Sequence, residues 1–115
     1  TASVIVGAGG NLVFQPPSLA VPTGTLLRFS FLARNHSLTQ SEFANPCLYN
    51  GGFDSGFNQF NPTNISGEFV VEYEVTSPSP QWFFCAQTLP RSHCNAGMVF
   101  SLNPRGAHYS FLQNA

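Results

Sequence analysis

Three residues late in the chain have the types and spacing to hold a soft metal ion. Cys85, His93 and Met98 lie in one stretch, W-F-F-C-A-Q-T-L-P-R-S-H-C-N-A-G-M-V-F, from Trp82 to Phe100. Seven residues separate the cysteine from the histidine, and four separate the histidine from the methionine. A thiolate, an imidazole and a thioether are the donors of a soft copper site, since sulfur favours Cu(I) and imidazole suits either oxidation state. A second histidine must come from elsewhere. His36, which follows the apolar run Leu26 to Leu32, is well placed to supply it. Two histidines and a cysteine in a trigonal set, with a weak axial methionine, form the blue-copper electron-transfer pattern. Copper would itself drive deprotonation of the thiol. The backbone N–H of Ser37 and side chains such as Asn35 or Thr88 are candidates to hydrogen-bond the sulfur and tune the site.

The elements that must position these residues read as strands. Ser3 to Val6 and Asn11 to Phe14 are short apolar segments, stopped by glycines and by Pro16-Pro17. Thr25 to Ala33 places Leu27, Phe29 and Phe31 on one face, and His36 to Thr39 continues as a short extended piece. Gly67 to Val75 alternates, with Phe69, Val71, Tyr73 and Val75 inward and Glu68, Glu72 and Glu74 in solvent. Gln81 to Cys85 and Met98 to Leu102 flank the metal-site loop. Ser41 to Thr63 reads as a long irregular region, with Phe53, Phe57 and Phe60 covering the core or surrounding the metal. No segment shows sustained helical periodicity, and Ala107 to Ala115 fits a short helix or an edge strand. The expected fold is all-β, a Greek-key β-sandwich of about seven to eight strands with little helix. Residues 1–115 form one domain, with a core over 3–104 and a tail over 105–115.

Composition removes several classes of function. Only 8% of the 115 residues are charged, there is no lysine, and the net charge is −1. An average soluble domain carries about 25% charged residues. Nothing here makes a nucleic-acid groove or a patch for anionic membranes, and no apolar run is long enough to span a bilayer. The chain opens at Thr1 without a leader, as in a mature secreted chain or an excised domain. The sequons Asn35-His36-Ser37 and Asn64-Ile65-Ser66 make Asn35 and Asn64 possible glycosylation sites and agree with secretion. Cysteines number three, so one thiol is left over; the simplest pairing joins Cys47 to Cys94 and leaves Cys85 for a metal.

Each of these residues alone has a plainer reading. Cys85 could be an inert buried thiol, His36 a turn residue, His93 an exposed one and Met98 core. Their joint spacing is what favours a metal. His108 lies outside the motif. Catalysis is disfavoured on the same residues. A multicopper oxidase needs several His-x-His pairs, and there are none. Read as the mature first residue, Thr1 would leave no histidine brace there. Cys85 would follow a strand rather than open a helix that lowers its pKa, and four protein ligands leave no position for substrate. An electron carrier is therefore expected, with extracellular copper binding or scavenging as the alternative.

The segments N-H-S-L-T-Q-S around His36, N-P-C at Cys47, G-G-F-D-S-G-F, W-F-F-C-A-Q-T and H-C-N-A-G-M-V-F-S-L-N-P together resemble the cupredoxins. The resemblance covers Ser3 to Pro104 and is greatest to the phytocyanin-like cupredoxin domains of secreted fungal proteins, often followed by serine-rich, membrane-anchored tails. It implies one type 1 copper ion held by His36, Cys85, His93 and Met98, and a disulfide between Cys47 and Cys94. Leu89-Pro90-Arg91-Ser92 departs from the family as a small insertion in the copper loop. The implied protein is a monomeric electron carrier, secreted or anchored at the cell surface in the full-length protein. It would exchange electrons with a redox partner protein, such as an extracellular oxidoreductase, through the edge of His93.

Overall fold

The structure is a computed structural model that describes residues 2–7, 13–31, 36–55, 70–87 and 92–115. Among these are nine strands and one helix: β1 (Ala2–Val6), β2 (Phe14–Gln15), β3 (Ser18–Leu19), β4 (Leu26–Phe31), β5 (Thr39–Ser41), β6 (Tyr49–Asp54), β7 (Val70–Glu74), β8 (Gln81–Phe84), β9 (Val99–Leu102) and α1 (His108–Asn114). They form two sheets, ordered β2-β1-β4-β7 and β3-β9-β8-β5-β6. This is the expected all-β sandwich with little helix; the strand number reaches nine because β2 and β3 are only two residues long.

Alternation builds the core. Val4 and Val6 of β1 and Leu27, Phe29 and Phe31 of β4 point between the sheets and are buried, while Ser3, Ile5 and Arg28 face outward. Phe100 of β9 stands at the centre, with ring centroids 5.4 Å from Phe29, 5.9 Å from Phe14 and 6.2 Å from Phe83. On the outer face Arg28 and Glu72 are cross-strand partners with an N–O distance of 3.5 Å. Both are about half exposed, so water and salt screen the pair and it adds little.

The reading of Ser41 to Thr63 as irregular is corrected by β6, which pairs with β5 at the edge of the five-stranded sheet. Tyr-Asn-Gly-Gly-Phe-Asp has no apolar alternation because only Phe53 turns toward the core. The register jumps between Thr39↔Asp54 and Ser41↔Tyr49, so β6 bulges. The Gln40 side chain fills the bulge and accepts a hydrogen bond from the Phe53 N–H at 3.1 Å. A Cβ at Gly52 would meet the ends of the Gln40 and Asn50 side chains, so a larger residue there would have to displace the Gln40 amide from the Phe53 N–H. Residues 56–63, including Phe57 and Phe60, lie outside the described residues.

The tail resolves to the helix. Its Phe111 is fully buried against the outer face of the second sheet, 4.8 Å from Trp82 and 6.3 Å from Phe43. Phe84, Cys94 and Val99 complete this second core. The sheet therefore has apolar side chains on both faces, and α1 covers the outer one.

His108 opens α1, with Nδ1 2.6 Å from Ser101 Oγ. Burial pushes its imidazole pKa down. The folded state therefore binds fewer protons than the unfolded state below about pH 6.5, the ordinary histidine value. This contribution to stability is complete above that pH and is lost as pH falls through the lowered folded value. Urea denaturation at pH 7.5 and 5.0 should show a loss on acidification that is smaller in His108→Gln.

Candidate metal centre

Strand pairing brings the first two donors together. β5 and β8 are antiparallel, with Thr39 opposite Phe84. His36 precedes the start of β5 and Cys85 follows the end of β8, so both lie beyond the same end of the paired strands. The third donor arrives on a tight turn. The N–H of Ala96 donates to the carbonyls of Ser92 and His93, that of Gly97 to Cys94, and that of Met98 to His93. Gly97 has φ of +104°, a left-handed conformation suited to glycine, and it turns the chain back into β9. Two more bonds fix this turn to the Cys85 segment: His93 N–H to the Gln87 carbonyl at 2.9 Å, and Cys85 N–H to the Met98 carbonyl at 3.2 Å.

The result is a small triangle of donor atoms. Cys85 Sγ is 3.6 Å from His36 Nδ1 and 3.6 Å from His93 Nδ1, and the two nitrogens are 3.2 Å apart. A point about 2.0 Å from all three atoms exists at the centre of such a triangle, which matches a metal–imidazole bond of about 2.0–2.1 Å. All three residues are buried, with His93 the most exposed at 4%. The donor set is one soft sulfur and two imidazoles, and it fits copper. Met98 is fully buried in the same core cluster as Cys85, and its backbone is bonded to both Cys85 and His93.

Burial pushes the Cys85 thiol up from its ordinary range. The backbone N–H groups of Gln87 and Ser37 oppose that effect by hydrogen bonding to the sulfur. The Ser37 N–H lies 3.4 Å from Sγ. A metal bound there would drive deprotonation that the apolar surroundings resist. Of the three expected donors to the sulfur, Ser37 is in place, whereas Asn35 and Thr88 lie outside the described residues. Sequence reasoning found the Ser37 N–H from its place beside His36 but missed that of Gln87, since the path of the backbone after Cys85 leaves no mark in residue identity. It also missed Thr39 and Asp54, which continue the hydrogen bonds of Ser37. The polar residues Ser37 and Thr39, alternating around Leu38 and all buried, were the available signal.

Cys47 and Cys94 form a disulfide with a Cα–Cα distance of 5.7 Å. It anchors the turn carrying His93 to the segment before β6. The copper-loop insertion Leu89-Pro90-Arg91-Ser92 is described only at Ser92, whose Oγ accepts the Asn95 N–H.

With this geometry in view, the comparisons with known proteins are consistent. No family model matches the chain. The chain is similar to a probable GPI-anchored cupredoxin-1 of Arthroderma benhamiae, 27% identical over 110 residues, which are 90% of this chain and 51% of the relative. It thus spans about half the length of that curated relative. Its structure is similar to a purple cupredoxin from Nitrosopumilus maritimus, with a TM-score of 0.60 and 16% identity, covering 89% of this chain and 97% of the other. It is also similar to oxidised plastocyanin from Dryopteris crassirhizoma, with a TM-score of 0.55 and 21% identity over 87% and 96%. The fold is that of the cupredoxins.

The disulfide closes a sequence separation of 47 residues. Limiting the unfolded chain in this way contributes about 4 kcal/mol on the chain-entropy account. Urea denaturation of the Cys47→Ala/Cys94→Ala double variant should show a loss of that order. Thiol counting on the denatured metal-free wild type should find one thiol, Cys85.

Proposed function

We propose that the protein is a type 1 copper protein that transfers single electrons, with His36, Cys85 and His93 as equatorial ligands and Met98 as the weak axial one. The observation that carries this reading is the buried triangle of two Nδ1 atoms and one Sγ. Copper bound there would supply the one-electron couple between Cu(II) and Cu(I). The chain's part is to hold the donors in one arrangement for both states and to exclude water. Strand pairing beside His36 and Cys85, together with the turn bonds beside His93, supports that rigidity. A carrier role, rather than substrate turnover, follows from a donor set supplied entirely by protein.

The likeness to a probable GPI-anchored cupredoxin supports placing this domain outside the cell, secreted or at the cell surface, in the phytocyanin-like fungal group. In this reading residues 1–115 are one domain, core 3–104 and tail 105–115, acting as a monomer. Its partner is an extracellular redox protein that docks near His93, the most exposed of the three equatorial ligands. Asn64 is the better glycan acceptor, because Asn35 adjoins a buried ligand. No helix among the described residues is long and apolar enough to cross a membrane.

Titration of the metal-free protein with Cu(II) should produce an intense thiolate-to-copper band that saturates at one equivalent. Cys85→Ser should abolish that band and keep the fold, since a serine Oγ can accept the Ser37 and Gln87 N–H groups. An undiminished band in Cys85→Ser would overturn the reading.

Met98 is tested separately. A thioether donates weakly to Cu(II), so Met98→Gln should lower the reduction potential and Met98→Leu should raise it, with the colour retained in both. Cyclic voltammetry of the three proteins measures this. A potential unmoved in both variants would make Met98 a core residue only. Slow self-exchange in a wild type with the predicted potential would favour copper binding over electron shuttling.

A further inference from the structure

Behind the sulfur of Cys85 runs a hydrogen-bonded chain that the ligand set does not require. The Ala86 N–H donates to Ser37 Oγ at 2.8 Å, Ser37 Oγ is 2.9 Å from Thr39 Oγ1, and Thr39 Oγ1 is 3.0 Å from Asp54 Oδ1. Ser37 and Thr39 are buried, at 1% and 2% exposure, whereas Asp54 reaches the surface on the edge strand β6. The chain connects the copper-facing segment to solvent through two hydroxyl groups.

Its direction follows from the inventory of protons. An ionised carboxylate only accepts, and a hydroxyl has one proton to give. Thr39 gives its proton to Asp54, so between Ser37 and Thr39 the donor must be Ser37. Ser37 Oγ receives the Ala86 proton on its other side. The Ser37 hydroxyl nevertheless lies beside the Cys85 sulfur, since the N–H of the same residue is 3.4 Å from Sγ and the hydroxyl accepts from the residue that follows Cys85. With its proton committed to Thr39, the sulfur keeps the N–H donors of Ser37 and Gln87 and does not receive the hydroxyl.

We propose that Asp54 and Thr39 are positioning residues that turn the Ser37 hydroxyl away from the Cys85 sulfur and so limit how many hydrogen bonds the thiolate receives. The inference rests on the copper reading given above and deepens it. Each donor withdraws electron density from the thiolate. That weakens its donation to Cu(II) more than to Cu(I) and raises the potential. A surface carboxylate on β6 thereby keeps the potential below the value that the same four ligands would otherwise give. Thr39 and Asp54 are register partners across β5 and β6, so the bulge that re-aligns this edge strand also places the carboxylate.

The test compares Thr39→Val, Asp54→Ala, Asp54→Asn and Ser37→Ala/Thr39→Val with wild type and Ser37→Ala. Thr39→Val removes the acceptor with little change in shape and frees the Ser37 hydroxyl for the sulfur. Its potential should rise and its thiolate-to-copper band should move to shorter wavelength. Asp54→Ala should shift both in the same direction, and Asp54→Asn, whose amide oxygen still accepts from Thr39, should stay near wild type. In the Ser37→Ala background the Thr39→Val effect should vanish. NMR of the metal-free protein gives an independent readout: the Ser37 hydroxyl proton should show proximity to Thr39 in wild type and to the Cys85 methylene in Thr39→Val.

An unmoved potential and band in both Thr39→Val and Asp54→Ala would overturn the proposal, even if both lose stability. So would a Thr39→Val shift that persists without the Ser37 hydroxyl. A wild type that forms no thiolate-to-copper band would instead overturn the copper reading. In that case the hydroxyl direction still stands or falls on the NMR of the metal-free protein.

Discussion

Three buried atoms with lone pairs, two imidazole nitrogens and one sulfur, are held within 3.6 Å of one another. Bringing such groups out of water and onto one point is unfavourable unless a proton or a cation lies between them. The rest of the structure can be understood as the framework that enforces this approach. The β5–β8 pairing delivers His36 and Cys85 to one end of the second sheet, and the β8–β9 pairing returns the turn that carries His93 and Met98. Because these are ladder contacts in the middle of a five-stranded sheet, the donors cannot separate without disrupting the core.

Two cores stabilise that framework from opposite sides of one sheet. The main core gathers Phe14, Phe29, Phe83 and Phe100 between the sheets and includes both Cys85 and Met98. The second, on the outer face, gathers Trp82, Phe84 and Phe111 with the disulfide. Alternation along β8 divides its aromatic residues between them: Phe83 turns inward, while Trp82 and Phe84 turn outward. The strand end that carries Cys85 and the turn that carries His93 are therefore held by packing on both faces of the sheet and by the Cys47–Cys94 bond. With 8% charged residues, ion pairs have little part in this; apolar burial and backbone hydrogen bonding carry the fold.

The immediate surroundings of the sulfur are polar in a restricted way. Backbone N–H groups point at it from Ser37 and Gln87, and the nearest hydroxyls are engaged with each other and with Asp54. In a low-dielectric site each such group acts more strongly than it would in water. On the proposal above, the direction of the Ser37 hydroxyl, set by Thr39 and Asp54, would alter the electronic character of the sulfur without moving any donor.

The sequence by itself determined the donor set and most of the strands. A cysteine and a histidine at fixed spacing beside apolar flanks, with a second histidine after an earlier strand, pointed to the chemistry, because a thiolate and two imidazoles suit a soft ion. The alternating apolar residues of β1, β4 and β7 define which face turns inward, because side chains reverse at each step of a strand. Tertiary structure alone decided the rest. β6 carries no alternation, since an edge strand that is mostly exposed needs none, and its pairing comes from backbone groups common to every residue. The tail could read as helix or strand until the outer sheet face required Phe111 as cover. Asp54 looks like any surface carboxylate in sequence. It lies fifteen positions from Thr39, and only a bulge in β6 sets the two opposite each other behind the sulfur.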